Sequence, residues 1–231
     1  MGGYHPPRNF NNMIKKYVID IETEPLEKEE LAPFVPEFKA DSRLKDPVKI
    51  AEDLKSKEVN FYEKSTLSAL TSKVCALGIW EIGKEEPKLY CAMAEEKLIN
   101  IFSDLLTFST DANGASGRAY EIITFNGNNF DIPFLCRRGL KYGNNMFTKF
   151  FRTDGGIGYD SGLVDLAVMW DCRRKDYTSL KELALHLGVG DKPKDDKLFY
   201  QKYSENPEAA KDYLKNDLIL TKKIAEKWGL V

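Results

Sequence analysis

The stretch Lys16-Tyr17-Val18-Ile19-Asp20-Ile21-Glu22-Thr23 constrains this chain more than any other. It is β-branched and apolar, and it reads as a buried strand with two carboxylates near its end. Side chains alternate along a strand, so Asp20 and Glu22 face the same way, roughly 7 Å apart. Each carboxylate is costly to desolvate, and at that range the two repel. Two readings follow. One is an exposed strand end carrying a chance D-x-E. The other is a cradle for a divalent cation, whose charge offsets the repulsion and whose hardness suits oxygen ligands.

The chain has 231 residues, and the expectation is one domain over 1–231 with length to spare for insertions. With 42% hydrophobic residues it can bury a sizeable core. A net charge of −2 excludes an overall basic nucleic-acid coat, so any nucleic-acid contact must be a local patch. Cys75, Cys91, Cys136 and Cys172 form no C-x-x-C pair and no zinc spacing, which fits thiols in a reducing compartment. No apolar run approaches membrane-spanning length and no signal peptide is evident, so a soluble, cytoplasmic protein without membrane contact is expected.

In chain order, residues 1–13 read as a flexible leader and 14–22 as the first strand. About 25–70 reads as an insertion lying over the domain, with a helix from Pro47 through Tyr62. Strands are expected at Ser72–Glu81 and Lys88–Ala92, then an amphipathic helix over 95–109 and a polar loop over 110–118. A central strand at Glu121–Phe125 leads through an Asn-Gly turn to a helix at Ile132–Tyr142. A loop over 143–161 and a strand at Leu163–Met169 follow. Ser179-Leu180-Lys181-Glu182 is a capping box, residues 190–197 a charged loop, and Asn206-Pro207 opens a last helix that Trp228-Gly229 ends. The order predicts an α/β mixed sheet with helices on its faces.

Three more acids need explaining. Asp131 follows the central strand, where open α/β sheets gather their sites; it or Asn129 would serve equally as a helix N-cap. Asp217 falls in the middle of the apolar stripe of the last helix, with Tyr213 one turn back. A buried charge there needs a partner or a metal; a Tyr–Asp hydrogen bond in the core is the plainer alternative. Asp165 reads as structural, at a strand end facing the next helix. His186 lies off its apolar stripe and His5 in the leader, so neither supports a nucleophile system.

Asp20-x-Glu22, Asn126-x-x-x-Phe130-Asp131 and Tyr213-x-x-x-Asp217 together resemble the three motifs of the DEDD 3′–5′ exonuclease superfamily, tyrosine subtype. Thr124–Leu135 is especially similar to the proofreading exonuclease domain of family-B DNA polymerases. Position 212 is Asp212, where the histidine subtype would carry His. The resemblance covers about residues 14–228 apart from the insertion. It implies a stand-alone nuclease of ribonuclease H-like fold, since the chain is too short to hold a polymerase palm as well.

The resemblance further implies two divalent ions, Mg²⁺ or Mn²⁺, held by Asp20, Glu22, Asp131 and Asp217, with Tyr213 orienting the attacking water. The four acids are expected to converge without cationic partners. Thr23, Asn126 and Phe130 are the expected walls for a terminal nucleotide. Arg137 and Arg138 are candidate phosphate contacts, and Lys215, Lys222 and Lys223 read mainly as solvated surface. The expected partner is single-stranded DNA, with RNA as the alternative and replication or repair proteins as further partners. A ribonuclease H-like endonuclease and a non-catalytic nucleic-acid-binding module are the competing readings.

Overall fold

The computed structural model describes residues 14–110, 116–158, 161–172, 178–193 and 197–231. The expected leader at 1–13 lies outside the described residues. Strand β1 (Lys15–Pro25) buries Tyr17, Val18, Ile19 and Ile21, together with Thr23, and runs three residues further than expected. A short helix α1 (Lys28–Leu31) and a 19-residue helix α2 (Pro47–Ser65) follow. Asp46 caps α2 by accepting from the Val48 N–H. Leu26 and Leu31 are buried, so the segment after β1 is anchored at its start.

Next come β2 (Ser72–Glu81), β3 (Lys88–Cys91) and helix α3 (Glu95–Leu105), which stops four residues short of the expected end. The chain then enters a short ladder of β4 (Phe108–Thr110), where the helix was expected to end, and β5 (Ser116–Arg118), where a loop was expected. β6 (Tyr120–Thr124) leads to α4 (Asp131–Lys141). The expected loop over 143–161 contains a helical turn, α5 (Phe147–Phe150), that sends Met146 and Phe150 into the core.

β7 covers only Leu163–Asp165, because the Asp165 carboxylate accepts from the Ala167 and Val168 N–H groups and starts helix α6 (Leu166–Asp171). The expected strand over 163–169 is therefore half strand and half helix. α7 (Leu180–Leu187) begins at the Ser179–Glu182 capping box. α8 (Phe199–Glu205) was not expected, and α9 (Pro207–Lys227) closes the chain with Asn206 as its cap.

The main sheet has the order β3-β2-β1-β6-β7. β1 is antiparallel to β2 and parallel to β6, and β6 is parallel to β7, so this is the mixed sheet expected. Ile19 and Ile21 join the core with Leu98, Phe102 and Phe134 of α3 and α4. Val18 joins Leu183, Leu218 and Ile224 of α7 and α9 on the other face. Alternation therefore turns Asp20 and Glu22 toward the α9 face.

A buried ion pair locks the return of the inserted segment. Arg138 Nη2 and Nε donate to Glu95 Oε2 and Oε1 at 2.5 and 2.8 Å, and Nη1 donates to the Ala69 carbonyl at 3.1 Å. Glu95 also accepts from the Val74 N–H at 2.8 Å and from the Tyr142 hydroxyl at 2.7 Å. Arg138 is thus committed inside the fold and not to a phosphate, which corrects the expectation for that residue.

Candidate metal-dependent active site

Three elements deliver the four acids. Asp20 and Glu22 stand on β1, and Asp217, 6% exposed, faces them from α9. One carboxylate oxygen from each of the three lies within 4.8 Å of the others. Such a close approach needs a thin sheet surface under α9. Gly78 pairs with Asp20 across the β1–β2 ladder, and Ala76 pairs with Glu22. A Cβ on Gly78 would meet Leu218 Cδ1 at 2.6 Å, so the missing side chain is what lets α9 settle against β2. Immediately after Glu22 the register slips, with Thr23 opposite Val74 and Cys75 passed over. Bulges of this kind re-aim side chains beside sites.

Asp131, the fourth expected acid, is not among the three that meet within 4.8 Å; it approaches β1 from the opposite helical layer. It opens α4, is 4% exposed, and its Oδ1 accepts from the Ile21 N–H at 3.1 Å, between the two acids of β1. The turn before it is held by Asp165, which accepts from the Asn126 and Asn128 N–H groups at 2.8 Å each. Asp165 is the structural acid that the sequence led us to expect. Gly127 is required there, since a Cβ would lie 2.4 Å from Thr124 Cβ. Asn126 takes a positive φ of 62° in the same turn.

The expectation of acids without cationic partners is overturned. Lys192 Nζ lies 2.5 Å from Asp217 Oδ2 and 4.5 Å from the centre of the Tyr213 ring. Lys202 Nζ, from α8, stands at the same 4.5 Å from that ring. Burial alone would lower the Lys192 pKa, but Asp217 and the Tyr213 hydroxyl raise it, so Lys192 is a firm cation. The signal for Lys192 was faint, a lysine in a loop with no periodicity to aim it.

The remaining expected contacts sit as follows. Thr23 is buried and its hydroxyl donates to the Thr66 carbonyl at 2.7 Å. Asn126 is exposed and its side-chain oxygen accepts from Asn129 Nδ2 at 2.8 Å. The Phe130 ring is half-buried, with its centre 5.5 Å from that of Phe134. Arg137 is exposed on α4. Lys215 and Lys222 pair with Glu86 and Glu226, and Lys223 donates to the Val189 carbonyl.

Burial raises the acids' pKa values, and their neighbours add to it. Glu22 is pushed up to about 8, by burial first and then by Asp217. Asp131 rises to about 7 through burial, against the opposing hydrogen bond from Ile21. Asp20 is held well above its usual value by burial, Asp131 and Asp217. Three hard carboxylate donors this close suit Mg²⁺ or Mn²⁺.

A pH dependence follows. For Glu22 the folded value, about 8, lies above the unfolded 4.5, so the folded state holds the extra proton between them. The metal-free protein therefore loses stability as pH rises through that window. In chelator its melting temperature is expected to fall between about pH 5 and pH 8. Mn²⁺ is expected to raise it more at the upper pH, where it competes with fewer protons. A metal-free melting temperature that climbs across the same interval would contradict the assignment.

A sequence model described as the RNase_H superfamily (RNase_H_2) matches residues 62–228. No curated protein matches the chain in sequence. Among solved structures, the chain is similar to the family B DNA polymerase from the hyperthermophilic archaeon Pyrobaculum calidifontis, with a TM-score of 0.53 and 16% identity. That similarity covers 98% of this chain and 25% of the polymerase, so the chain spans about a quarter of that protein's length. At this identity the likeness speaks for the fold. Among the described residues, no helix is long and apolar enough to cross a membrane.

Proposed function

The chain belongs to the RNase_H superfamily, and on that premise we propose that it is a metal-dependent 3′–5′ exonuclease acting on single-stranded DNA. One observation carries the reading: the carboxylates of Asp20, Glu22 and Asp217 meet within 4.8 Å, with Tyr213 one helical turn before Asp217. The tyrosine favours an exonuclease of the tyrosine subtype over a ribonuclease H-like endonuclease. The likeness of Thr124–Leu135 to proofreading domains, which work on frayed ends, favours single-stranded DNA over duplex. The four free cysteines fit work in a reducing, cytoplasmic setting.

Asp20, Glu22 and Asp217 would hold divalent cations, with Asp131 adding its charge from α4. When bound, Mg²⁺ or Mn²⁺ supplies Lewis-acid charge at the scissile phosphate and a nucleophile at neutral pH. Tyr213, its pKa pushed up to about 12 by burial and Asp217, stays protonated near neutrality. Its hydroxyl therefore orients the attacking water and does not take its proton. Lys192 balances Asp217 and brings a positive charge to the phosphate oxygens. Asn126, Phe130 and Arg137 are proposed to line the path of the terminal nucleotide, the Phe130 ring by stacking, whereas the buried Thr23 hydroxyl is committed to the Thr66 carbonyl.

Tyr213→Phe is expected to keep the fold and Mn²⁺ binding and to slow single-turnover hydrolysis by about 10²-fold. That is the low end of the range for such groups, because the hydroxyl orients and does not transfer a proton. An unchanged rate would remove the tyrosine from the mechanism.

The reading is tested by digesting 5′-labelled and 3′-labelled single strands of DNA and RNA with Mg²⁺, Mn²⁺ or chelator. The 5′-labelled DNA should shorten one nucleotide at a time, and the 3′ label should leave at once as mononucleotide. Full activity in chelator would overturn the metal dependence, and faster loss of RNA would move the substrate to RNA.

A further inference from the structure

Helix α8 has no place in the mechanism above, yet it forms a wall beside the acids. Along β1 the side chain of Glu24 follows that of Glu22 on the same face, roughly 7 Å on. There a recess of about 100 Å³ opens, lined by Glu24, Cys75, Met93, Phe199, Tyr200 and Tyr203. Its back wall is aromatic. Phe199 is buried, and Tyr203 stacks on it with ring centres 5.8 Å apart and planes 27° from parallel. Both rings belong to the cluster against which Tyr213 also packs, so the recess and the acid site share one wall. The same helix carries Lys202, whose ammonium stands 4.5 Å from the Tyr213 ring centre. The acid on the rim is balanced, since Glu24 pairs with Lys73 at 3.2 Å.

We propose that this recess is a nucleobase subsite: the base of the terminal or penultimate nucleotide stacks against Tyr200 and Tyr203 while Lys202 meets the adjoining phosphate. The inference rests on the nuclease reading and names where its substrate is gripped. A flat π-face is the one feature all four bases share, so aromatic stacking grips a strand without choosing its sequence. A phosphate beside several carboxylates needs a fixed cation, and Lys202 is the α8 residue that reaches toward them. With a volume of about 100 Å³ the recess has room for no more than one base.

The experiment measures binding of a labelled single-stranded oligodeoxynucleotide to the full chain in Ca²⁺, by anisotropy. It compares the intact strand with strands carrying an abasic residue at the last or second-last position. Wild type is expected to lose roughly 5- to 150-fold in affinity for one of the two abasic strands. Tyr200→Ala should bind the intact strand as weakly as the abasic one and lose nothing further on the abasic strand. Tyr200→Phe should restore the difference, which a purely structural role of the residue would not require. Equal affinity for intact and both abasic strands, or an undiminished ratio in Tyr200→Ala, overturns the subsite. Parallel digestion with Mg²⁺ or Mn²⁺ separates the two claims. A chain that cuts strands but ignores the base loses the subsite alone, and one that shows the base dependence but never cuts supports the subsite and loses the nuclease reading.

Discussion

Asp20→Asn is expected to reduce metal-dependent hydrolysis by at least about 10³-fold while leaving the fold intact. Burial raises Asp20 most, and Asp131, Asp217 and Glu22 all add their repulsion. A carboxamide keeps the volume and removes the charge. The metal-free protein should therefore melt at the same temperature or higher, while the stabilisation by Mn²⁺ disappears. Asp217 behaves differently, although both acids belong to one cluster. Its carboxylate is the partner of Lys192, so Asp217→Ala leaves a half-buried ammonium without that carboxylate and is expected to cost stability as well as activity. Single-turnover rates and melting curves in chelator and in Mn²⁺ read both effects. Activity within tenfold of wild type in Asp20→Asn would remove Asp20 from the site.

The largest effect on stability is expected at an ion pair between α3 and α4, outside the acid cluster. Arg138→Ala or Glu95→Ala should destabilise the protein by about 3–5 kcal/mol, because each strands the opposite charge in the interior. The side chains are only 6% and 4% exposed, and between them they hold the Ala69 carbonyl, the Val74 N–H and the Tyr142 hydroxyl. Replacing both with apolar residues of similar volume, as in Arg138→Met with Glu95→Leu, should recover much of the loss. Some deficit should remain from the unpaired backbone groups. Urea unfolding with unchanged slopes would measure it. Single variants within about 1 kcal/mol of wild type would show that the pair is solvated and not buried.

The parts of the fold that sequence makes legible are those written by periodicity. β1 declares itself through alternation, and α9 through its stripe, which is why the sequence alone puts Asp20, Glu22 and Asp217 on facing surfaces. The capping box at Ser179 and the Asn206-Pro207 start are local chemistry and equally readable. Contacts made across long separations were not. Arg138 and Glu95 stand 43 residues apart, and nothing in either helix shows that they meet. Lys192 sits in a loop, and loops carry no period that aims a side chain. α8 is seven residues long, too short for a helical pattern; its trace was the Phe199–Tyr203 pair at i, i+4. Asp165 reads in the sequence only as part of a strand, but in the fold it ends β7 and also caps α6, so the strand expected over 163–169 stops at Asp165.

The central claim is that hydrolysis begins at a free 3′ end. Two metals cleave internal bonds as readily as terminal ones, so this polarity must come from walls that admit only a terminal nucleotide. The most direct test offers the protein one single-stranded DNA sequence in two forms, covalently closed and linearised, with Mg²⁺ or Mn²⁺. The account predicts that circles survive conditions that consume the linear strand from its 3′ end. Circles cut at a comparable rate would contradict it and make the protein an endonuclease.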